Sequence, residues 1–515
     1  MPVTSRDSLF VATVGYLLAP NVVFLASWLS PAWGLPAAVL VLACLFDVWR
    51  RARTSVSPPT LRQWAFVAAL ALVSTVISGI GELNVQVWDY LKHNLAFHDL
   101  VAYSWPVVYP YPEPGGSLLC YYIAYYLPAS LAGKLLGLVW TAPASFLWGL
   151  AGVLLAFSWI ARLGRPRGGA VLAVFMLVDG FAWLPGLYPF AQRLGLLAGA
   201  PVGSWWTADR FTVRFASFGT PPMRLLFESE PTHLLWAPQH AIAVWLATAC
   251  VLRTLEEGEP PRYLGLVVAG TLLWSPFVAI GVVPFVVMAL LRNPGGVVSW
   301  PAVAGGLALG VPVGLYFLAH STYQYLGFLP ARFSGPLDWF RYLFFLVTAI
   351  GILAFAVALV RRALGVPAQA EWALFVTAAV WLVGTTLVVL GYYNDWVMRV
   401  SMPALMVFRL VVARVIVELW RRFRKPALRL ALATLLLLSA ERPLKVLVLA
   451  PFGKVGGRPL STKIATATRA APTLGELPGT VAFHLGSQYV GSPDSWFGRH
   501  MMKQLTRTAE PPAPR

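Results

Sequence analysis

Long apolar stretches recur along almost the whole chain and determine its architecture. A membrane-spanning helix needs about 20 consecutive apolar residues to cross a hydrocarbon core of roughly 30 Å. Runs of this kind predict spans near residues 8–30, 33–49, 62–80, 117–138, 143–161, 169–189, 236–254, 263–279, 299–319, 337–360, 371–390, 400–420 and 427–449. A shorter run, 281–292, follows Trp274-Ser275-Pro276 and is typical of half of a broken helix pair. The pattern predicts an all-α polytopic membrane protein with about thirteen transmembrane helices.

Composition supports solvation by lipid and excludes an ordinary soluble enzyme. Charged residues make up 12% of the 515 residues, against roughly 25% in a soluble domain, and the mean hydropathy is +0.69. Three cysteines lie within or beside apolar runs and fit neither a disulfide framework nor a zinc site. The formal net charge of +18 does not indicate nucleic acid as a partner, because the basic residues flank the spans rather than forming a soluble basic surface.

The positions of the basic residues also predict the orientation. Clusters such as Arg50-Arg51, Arg361-Arg362 and Arg421-Arg422 are expected on the cytoplasmic side. The outer loops are then 81–116, 190–235, 320–336 and 391–399, within a transmembrane domain of residues 1–450 that is followed by a polar C-terminal tail, 451–515. Two full spans between 117 and 161 would place the basic residues after 161 outside. Either 117–138 is broken or re-entrant, or that basic loop is an exception.

The first outer loop, 81–116, is too polar to span a membrane and is rich in interfacial aromatics. Its residues from Asp89 onward predict a short helix on the membrane surface. Asp89, Lys92 and His93 then share one helical face, whereas Asp99 lies ten residues further along, about 15 Å away along the axis. This face either forms surface ion pairs or supplies a general base, because a carboxylate beside His and Lys in a half-dry crevice suits proton abstraction.

The second outer loop carries arginines where the orientation rule disfavours them. Arg210, Arg214 and Arg224 are candidate binders of an anionic head group, because arginine makes bidentate contacts with phosphate. Gln239 and His240 begin the following span and are expected to point into the bundle near the outer surface. A buried histidine of this kind is either simply hydrogen-bonded or part of a site.

The loop 391–399 holds a third polar group. Asp395 and Arg399 are four residues apart, so they can pair on one helical face. The pair is either a structural latch or, with Asn394, the rim of a substrate cavity. Asp179 lies inside an apolar run, where an ionisable group is costly and usually functional.

The layout resembles the membrane-embedded C-type glycosyltransferases, the GT-C superfamily, in a bacterial branch. The residues that carry the resemblance are Trp88-Asp89-Tyr90 through Trp105-Pro106, Tyr109-Pro-Tyr-Pro, Tyr121-Tyr122-Ile-Ala-Tyr125-Tyr126-Leu-Pro128, Trp-Ala-Pro-Gln-His-Ala at 236–241 and Tyr-Asn-Asp-Trp-Val-Met-Arg at 393–399. The chain lacks the tight Asp-x-Asp pair of that family, which leaves a divalent cation at the site open.

The resemblance implies sugar transfer from a polyprenyl-phosphate carrier to a cell-envelope acceptor, on the outer face of a bacterial cytoplasmic (inner) membrane. Asp89 is then the expected base, with His93 or Lys92 adjusting its pKa and Asp99 as a weaker alternative. Two other functions stay open on the residues. One is a transporter or flippase of lipid-linked or acidic solutes, for which we expect a second, inner-facing polar cavity, and the other is a membrane component whose outer loops dock a partner.

Overall fold

A computed structural model describes residues 5–110, 116–181, 184, 224–296, 298–320, 326–391, 393–454, 460–477 and 488–504, and these residues are mainly helical. The helices are α1 (Ser8–Trp28), α2 (Pro31–Arg51), α3 (Leu61–Ile77), α4 (Tyr90–Ala102), α5 (Leu127–Leu136), α6 (Thr141–Leu163), α7 (Gly168–Leu177), α8 (Glu230–Trp236), α9 (Pro238–Glu257), α10 (Leu264–Leu272), α11 (Pro276–Arg292), α12 (Trp300–Leu318), α13 (Pro336–Leu346), α14 (Ile352–Leu364), α15 (Gln369–Thr385), α16 (Asp395–Val400), α17 (Met402–Arg422), α18 (Pro426–Ser439), α19 (Glu441–Leu449) and α20 (Trp496–His500).

Short strands join the loops to one another. The strands are β1 (Ser5–Arg6), β2 (Arg53–Thr54), β3 (Val108–Tyr109), β4 (Ser117–Leu119), β5 (Leu326–Phe328), β6 (Val388–Leu390) and β7 (Val490–Gly491). All pairings are antiparallel, in the order β1-β2, β3-β4-β7 and β5-β6.

Five helical stretches are long and apolar enough to cross a membrane. They are Ser8–Trp28, Pro31–Arg51, Leu138–Leu163, Trp300–Leu318 and Pro336–Leu364. Shorter apolar helices include α3, α7 and α11. The described chain is therefore a helical protein of membrane type. The predicted count of thirteen spans is not confirmed, because the structure divides several of the predicted apolar runs into shorter segments.

Three predicted spans are interrupted. The run 117–138 begins with β4 and a 3₁₀ turn at Ile123–Tyr125, so that only the ten residues of α5 are α-helical, about 15 Å of helix. The segment 117–138 is therefore broken, which is one of the alternatives that the sequence leaves open. The run 263–279 divides into α10 and α11 at Trp274-Ser275-Pro276, the predicted break, because proline cannot donate to the preceding turn. The run 427–449 divides into α18 and α19.

Helix α9 connects the two ends of the bundle. At its first turn the ring of His240 packs against Tyr122, with ring centroids 5.1 Å apart. Near its last turn Arg253 donates to Asp7 at 2.8 Å, and Glu257 pairs with Arg162. With a rise of 1.5 Å per residue, the 17 residues between His240 and Glu257 separate these ends by about 26 Å. We call them the loop end, near Tyr122, and the arginine end, near Asp7.

The C-terminal tail folds onto the loop end. Leu118 and Leu119 pair with Gly491 and Val490, so β7 completes the β3-β4-β7 sheet. The 3₁₀ helix Ile464–Arg469 packs on α4. The tail that the sequence predicts as polar thus contributes a strand, β7, to this sheet.

Candidate functional site

A cavity of about 300 Å³ opens at the loop end. Its walls come from the first outer loop, from α11, α12 and α16, and from the C-terminal tail. The lining residues are Lys92, Cys120, Tyr121, Tyr122, Pro276, Phe277, Ile280, Phe317, His320, Leu390, Gly391, Asp395, Trp396, Arg399, Gln488 and Tyr489. Two polar groups that are some 300 residues apart in the sequence, one around Lys92 and one around Arg399, therefore meet in one space.

The 391–399 loop supplies a paired cation to this cavity. Arg399 donates to the Asp395 carboxylate at 2.8 Å, and both side chains are about one-fifth exposed, 18% and 21%. Its guanidinium also lies over the rings of Tyr122 and Phe277, at 5.6 and 5.8 Å from their centroids. Burial opposes the charge, but Asp395 and the surrounding tyrosines outweigh burial and raise the pKa of Arg399 above its ordinary value. The arginine is thus a fixed positive charge with apolar faces around it.

The first outer loop supplies a paired carboxylate. Asp89 is the residue immediately before α4, and Lys92, in the first turn, donates to its carboxylate. Burial raises the pKa of the Asp89 carboxyl, but the charge and hydrogen bond of Lys92, together with His93 and Arg399, outweigh burial and bring this pKa below its ordinary value of 3.8. Asp89 is therefore ionised at neutral pH, and its side chain stays 35% exposed beside a lysine that lines the cavity.

His93 is held as a neutral, structural side chain. Its Nδ1 lies 2.6 Å from the Tyr126 hydroxyl and its Nε2 lies 3.2 Å from the Trp236 carbonyl. Because a carbonyl only accepts, Nε2 carries the proton, and Nδ1 accepts from Tyr126. Burial, together with the charge of Lys92, lowers the pKa of His93 to about 3. Both residues expected to adjust Asp89 lower its pKa, and Lys92 contributes more than His93.

Asp99 does not line the cavity. The side chain is fully buried, and one carboxylate oxygen accepts from the Tyr109 hydroxyl at 2.7 Å and from the Leu474 N–H at 2.8 Å. These bonds connect α4 to β3 and to the C-terminal tail. Asp99 is thus an anchor between segments, and the catalytic role considered from the sequence stays a prediction.

The other predicted polar residues surround the cavity without lining it. Gln239 and His240 are fully buried, and the ring of His240 contacts Tyr122, which lines the cavity. Asn394 adopts a left-handed conformation (φ 56°), accepts from the Leu390 N–H at 3.3 Å and donates to the Arg224 carbonyl at 3.1 Å. It thereby shapes the turn that presents Asp395. Arg210 and Arg214 lie outside the described residues.

A second charged group is buried within the bundle. Arg409 of α17 donates to Asp179 at 2.8 Å and to Glu230 at 2.9 Å, and Arg442 of α19 donates to Asp179 at 2.7 Å. All four side chains are at most 7% exposed. Asp179, which the sequence singles out, is therefore part of a buried ion network. The sequence does not indicate the other members of this network, because isolated arginines and an acidic residue at a helix start form no recognisable pattern.

The sequence reasoning also missed the tyrosine-rich wall and the tail. Tyr121 and Tyr489 contact each other edge to face, with centroids 4.9 Å apart, and both line the cavity. The Tyr-Tyr repeats were visible in the sequence, but the contribution of Gln488 and Tyr489 depends on β7 pairing with β4.

Metal binding finds no support in the residues that the structure describes. They contain no group of three or more His, Cys, Asp or Glu side chains placed to hold an ion. The cations that face the cavity are Lys92 and Arg399.

Comparison with known proteins finds no match, whether among family models, curated proteins or solved structures.

Proposed function

We propose that this protein is a membrane-embedded glycosyltransferase that moves a sugar from a polyprenyl-phosphate carrier to a hydroxyl of a cell-envelope acceptor. The observation that carries the proposal is the convergence of the cations Lys92 and Arg399 at one cavity, with an ionised carboxylate, Asp89, paired to Lys92. Transfer from a lipid phosphate needs both groups, a base for the attacking hydroxyl and positive charge for the leaving phosphate.

Arg399 and Lys92 are the residues that suit the donor phosphate. Arginine binds phosphate oxygens through two parallel N–H bonds, and charge-assisted bonds of this kind are the strong ones. Both cations already have carboxylate partners, so the phosphate would join an existing charge network. Their charge would then stabilise the phosphate as the carbon–oxygen bond to the sugar breaks.

Asp89 suits the role of base. The acceptor oxygen attacks the anomeric carbon, its proton passes to the Asp89 carboxylate, and the electron pair of the breaking bond remains on the carrier phosphate. The lowered pKa of Asp89 keeps the group unprotonated at neutral pH. Asp395 is the carboxylate that lines the cavity itself, and its bond to Arg399 suits it to positioning that guanidinium.

The apolar walls suit the remainder of such a donor. Phe277 and Phe317 line the cavity, and aromatic faces pack against sugar rings and isoprenoid chains. Ile280, also on the lining, is 36% exposed on α11, so a lipid chain would have a lateral route from the bilayer. We place the loop end on the outer face of a bacterial cytoplasmic membrane, in accord with the basic loops at the other end.

Transport of a lipid-linked or acidic solute is the second candidate, and one observation favours it. A transporter is expected to have a further polar cavity facing the opposite side, and a cavity of about 500 Å³ lies at the arginine end. Between the two cavities, however, α9 passes through packed core, and its residues 243–252 are all buried.

The test is a turnover assay with purified protein in lipid vesicles, supplied with polyprenyl-phosphate sugars of several kinds and followed by release of the carrier phosphate. We expect Arg399→Gln to reduce donor use about 10- to 100-fold, the range for losing a hydrogen bond to a charged group. Arg421→Gln is the matched control, because it removes an equally charged side chain that is half exposed, 51%, at the far end of α17. If wild type consumes none of these donors but moves them across the vesicle membrane, transport replaces transfer.

A further inference from the structure

The cavity at the arginine end has a polar rim and an apolar interior. It lies between α1 and α3, which both pack on α6, and it is capped by the loop that follows β2. Its polar rim contains Arg6, Asp7 and Arg165, and its apolar wall contains Ala12 and Leu155. This cavity is separate from the candidate active site, because α9 spans about 26 Å between the two ends.

Most of the charge on the rim is already compensated. Asp7 accepts from the Phe10 N–H at 3.2 Å and from Arg162 and Arg253 at 2.7 and 2.8 Å. Arg162 in turn uses its remaining donors on Glu257 and Thr54. These groups form a closed network in which the only acidic residue on the lining, Asp7, is fully engaged.

Two arginines on the lining remain outside that network. In the described part of the chain Arg165 forms no ion pair with a carboxylate, and its side chain is exposed. Burial and the charge of Arg162 lower the pKa of Arg165 below its ordinary value, and Glu257 offsets only part of this effect. Arg6 lies over the ring of Trp49 at 4.4 Å, a contact that leaves its guanidinium edge for other partners. The rim is therefore electropositive.

Below this rim the cavity continues along apolar helix faces. Leu155 is seven residues before Arg162 on α6, which corresponds to about 10 Å of depth. Ala12 and Trp64, on α1 and α3, are exposed side chains that line the same space, with Trp64 at 42%. An arginine rim over an apolar cleft of about 500 Å³ suits a phospholipid head group and the first part of its acyl chains.

We propose that this cleft binds an anionic phospholipid of the leaflet at the arginine end, with Arg165 and Arg6 on its phosphate and an acyl chain against Ala12 and Leu155. The chemistry that selects the ligand is a phosphodiester with net negative charge, since a zwitterionic head group would bring its own cation to the electropositive rim. The proposal is independent of the transferase activity.

Native mass spectrometry of the purified protein tests this proposal, titrated with phosphatidylglycerol and, separately, with phosphatidylcholine of the same chains. We expect phosphatidylglycerol to bind at least tenfold more tightly, and Arg165→Gln or Arg6→Gln to weaken it about tenfold. Arg167→Gln is the matched control, because this exposed arginine lies two residues away but does not line the cleft. Ala12→Trp fills the apolar part without changing charge and should also displace the lipid.

Four results would overturn the proposal. These are equal affinity for the two lipids, an equal loss in the Arg167→Gln control, unchanged binding in both Arg165→Gln and Arg6→Gln, and unchanged binding in Ala12→Trp. Competition with glycerol 1-phosphate and inorganic phosphate distinguishes the source of the phosphate. If these bind as tightly as the lipid, the cleft is a site for a free phosphate and the acyl-chain contacts contribute nothing.

Discussion

Replacing Asp89 by asparagine separates catalysis from structure more cleanly than any other single change. Asparagine keeps the shape of the side chain and can still accept from Lys92, but it cannot take a proton from an acceptor hydroxyl. A positioned base contributes about 10²- to 10⁴-fold, so we expect Asp89→Asn to lower sugar transfer at least 100-fold. The variant measures the base directly, because its effect on folding is small.

The structure sets the expected effect on stability. The Asp89 side chain is 35% exposed and its ion pair with Lys92 is only partly buried, and such pairs contribute about 0–1 kcal/mol. The melting temperature in detergent should therefore change by a few degrees at most. Asp338→Asn is the matched control, because Asp338 pairs with Arg341 at 3.2 Å but does not line the cavity. We expect it to retain full turnover.

The pH profile gives an independent check on the same residue. A base must be unprotonated, and Lys92 lowers the pKa of Asp89 below 3.8. Transfer should accordingly show no loss from this group between pH 5 and 8, and should fall only as the pH drops through the lowered pKa. Near-normal turnover in Asp89→Asn, together with loss of activity in Asp395→Asn, would refute the choice of base and assign the role to Asp395.

Three further predictions concern the scaffold and its orientation. Asp99→Asn should lower thermal stability by about 1–3 kcal/mol, because it disturbs two buried bonds to a carboxylate, and a melting temperature equal to wild type would contradict the anchoring role. Arg409→Gln should cost about 3–5 kcal/mol, since two carboxylates lose their shared buried cation, and a well-folded variant in a thermal melt would show that the network is dispensable. The exposed residues Trp88 and Arg421 lie at opposite ends of the protein, and the three native cysteines are buried. Cysteines introduced by Trp88→Cys and Arg421→Cys should therefore react with an impermeant thiol reagent from opposite sides of sealed vesicles. Labelling of both from the same side would overturn the assigned orientation.

The tertiary structure gives individual residues within the predicted segments partners and surroundings that their local spacing does not predict. Lys92 pairs with Asp89, as the spacing predicts, whereas His93 is buried between Tyr126 and Trp236 and stays neutral. Asp99 has the same chemistry as Asp89, but a partner from the C-terminal tail, Leu474, fixes it as an anchor. Local spacing cannot distinguish such cases, because burial and hydrogen-bond partners come from distant parts of the chain.

The sequence by itself determined the helical membrane class and the break at Trp274-Ser275-Pro276. These follow from apolar run length and from proline chemistry, which act over a few consecutive residues. It also indicated both polar groups of the site, since charged residues in an apolar chain are conspicuous. Only the tertiary structure decided that Lys92 and Arg399 share one cavity, that Arg409 joins Asp179 to Glu230, and that the tail closes the loop end through β7. Those contacts join residues separated by hundreds of positions, and their free energy depends on a packed, low-dielectric environment that no local pattern encodes.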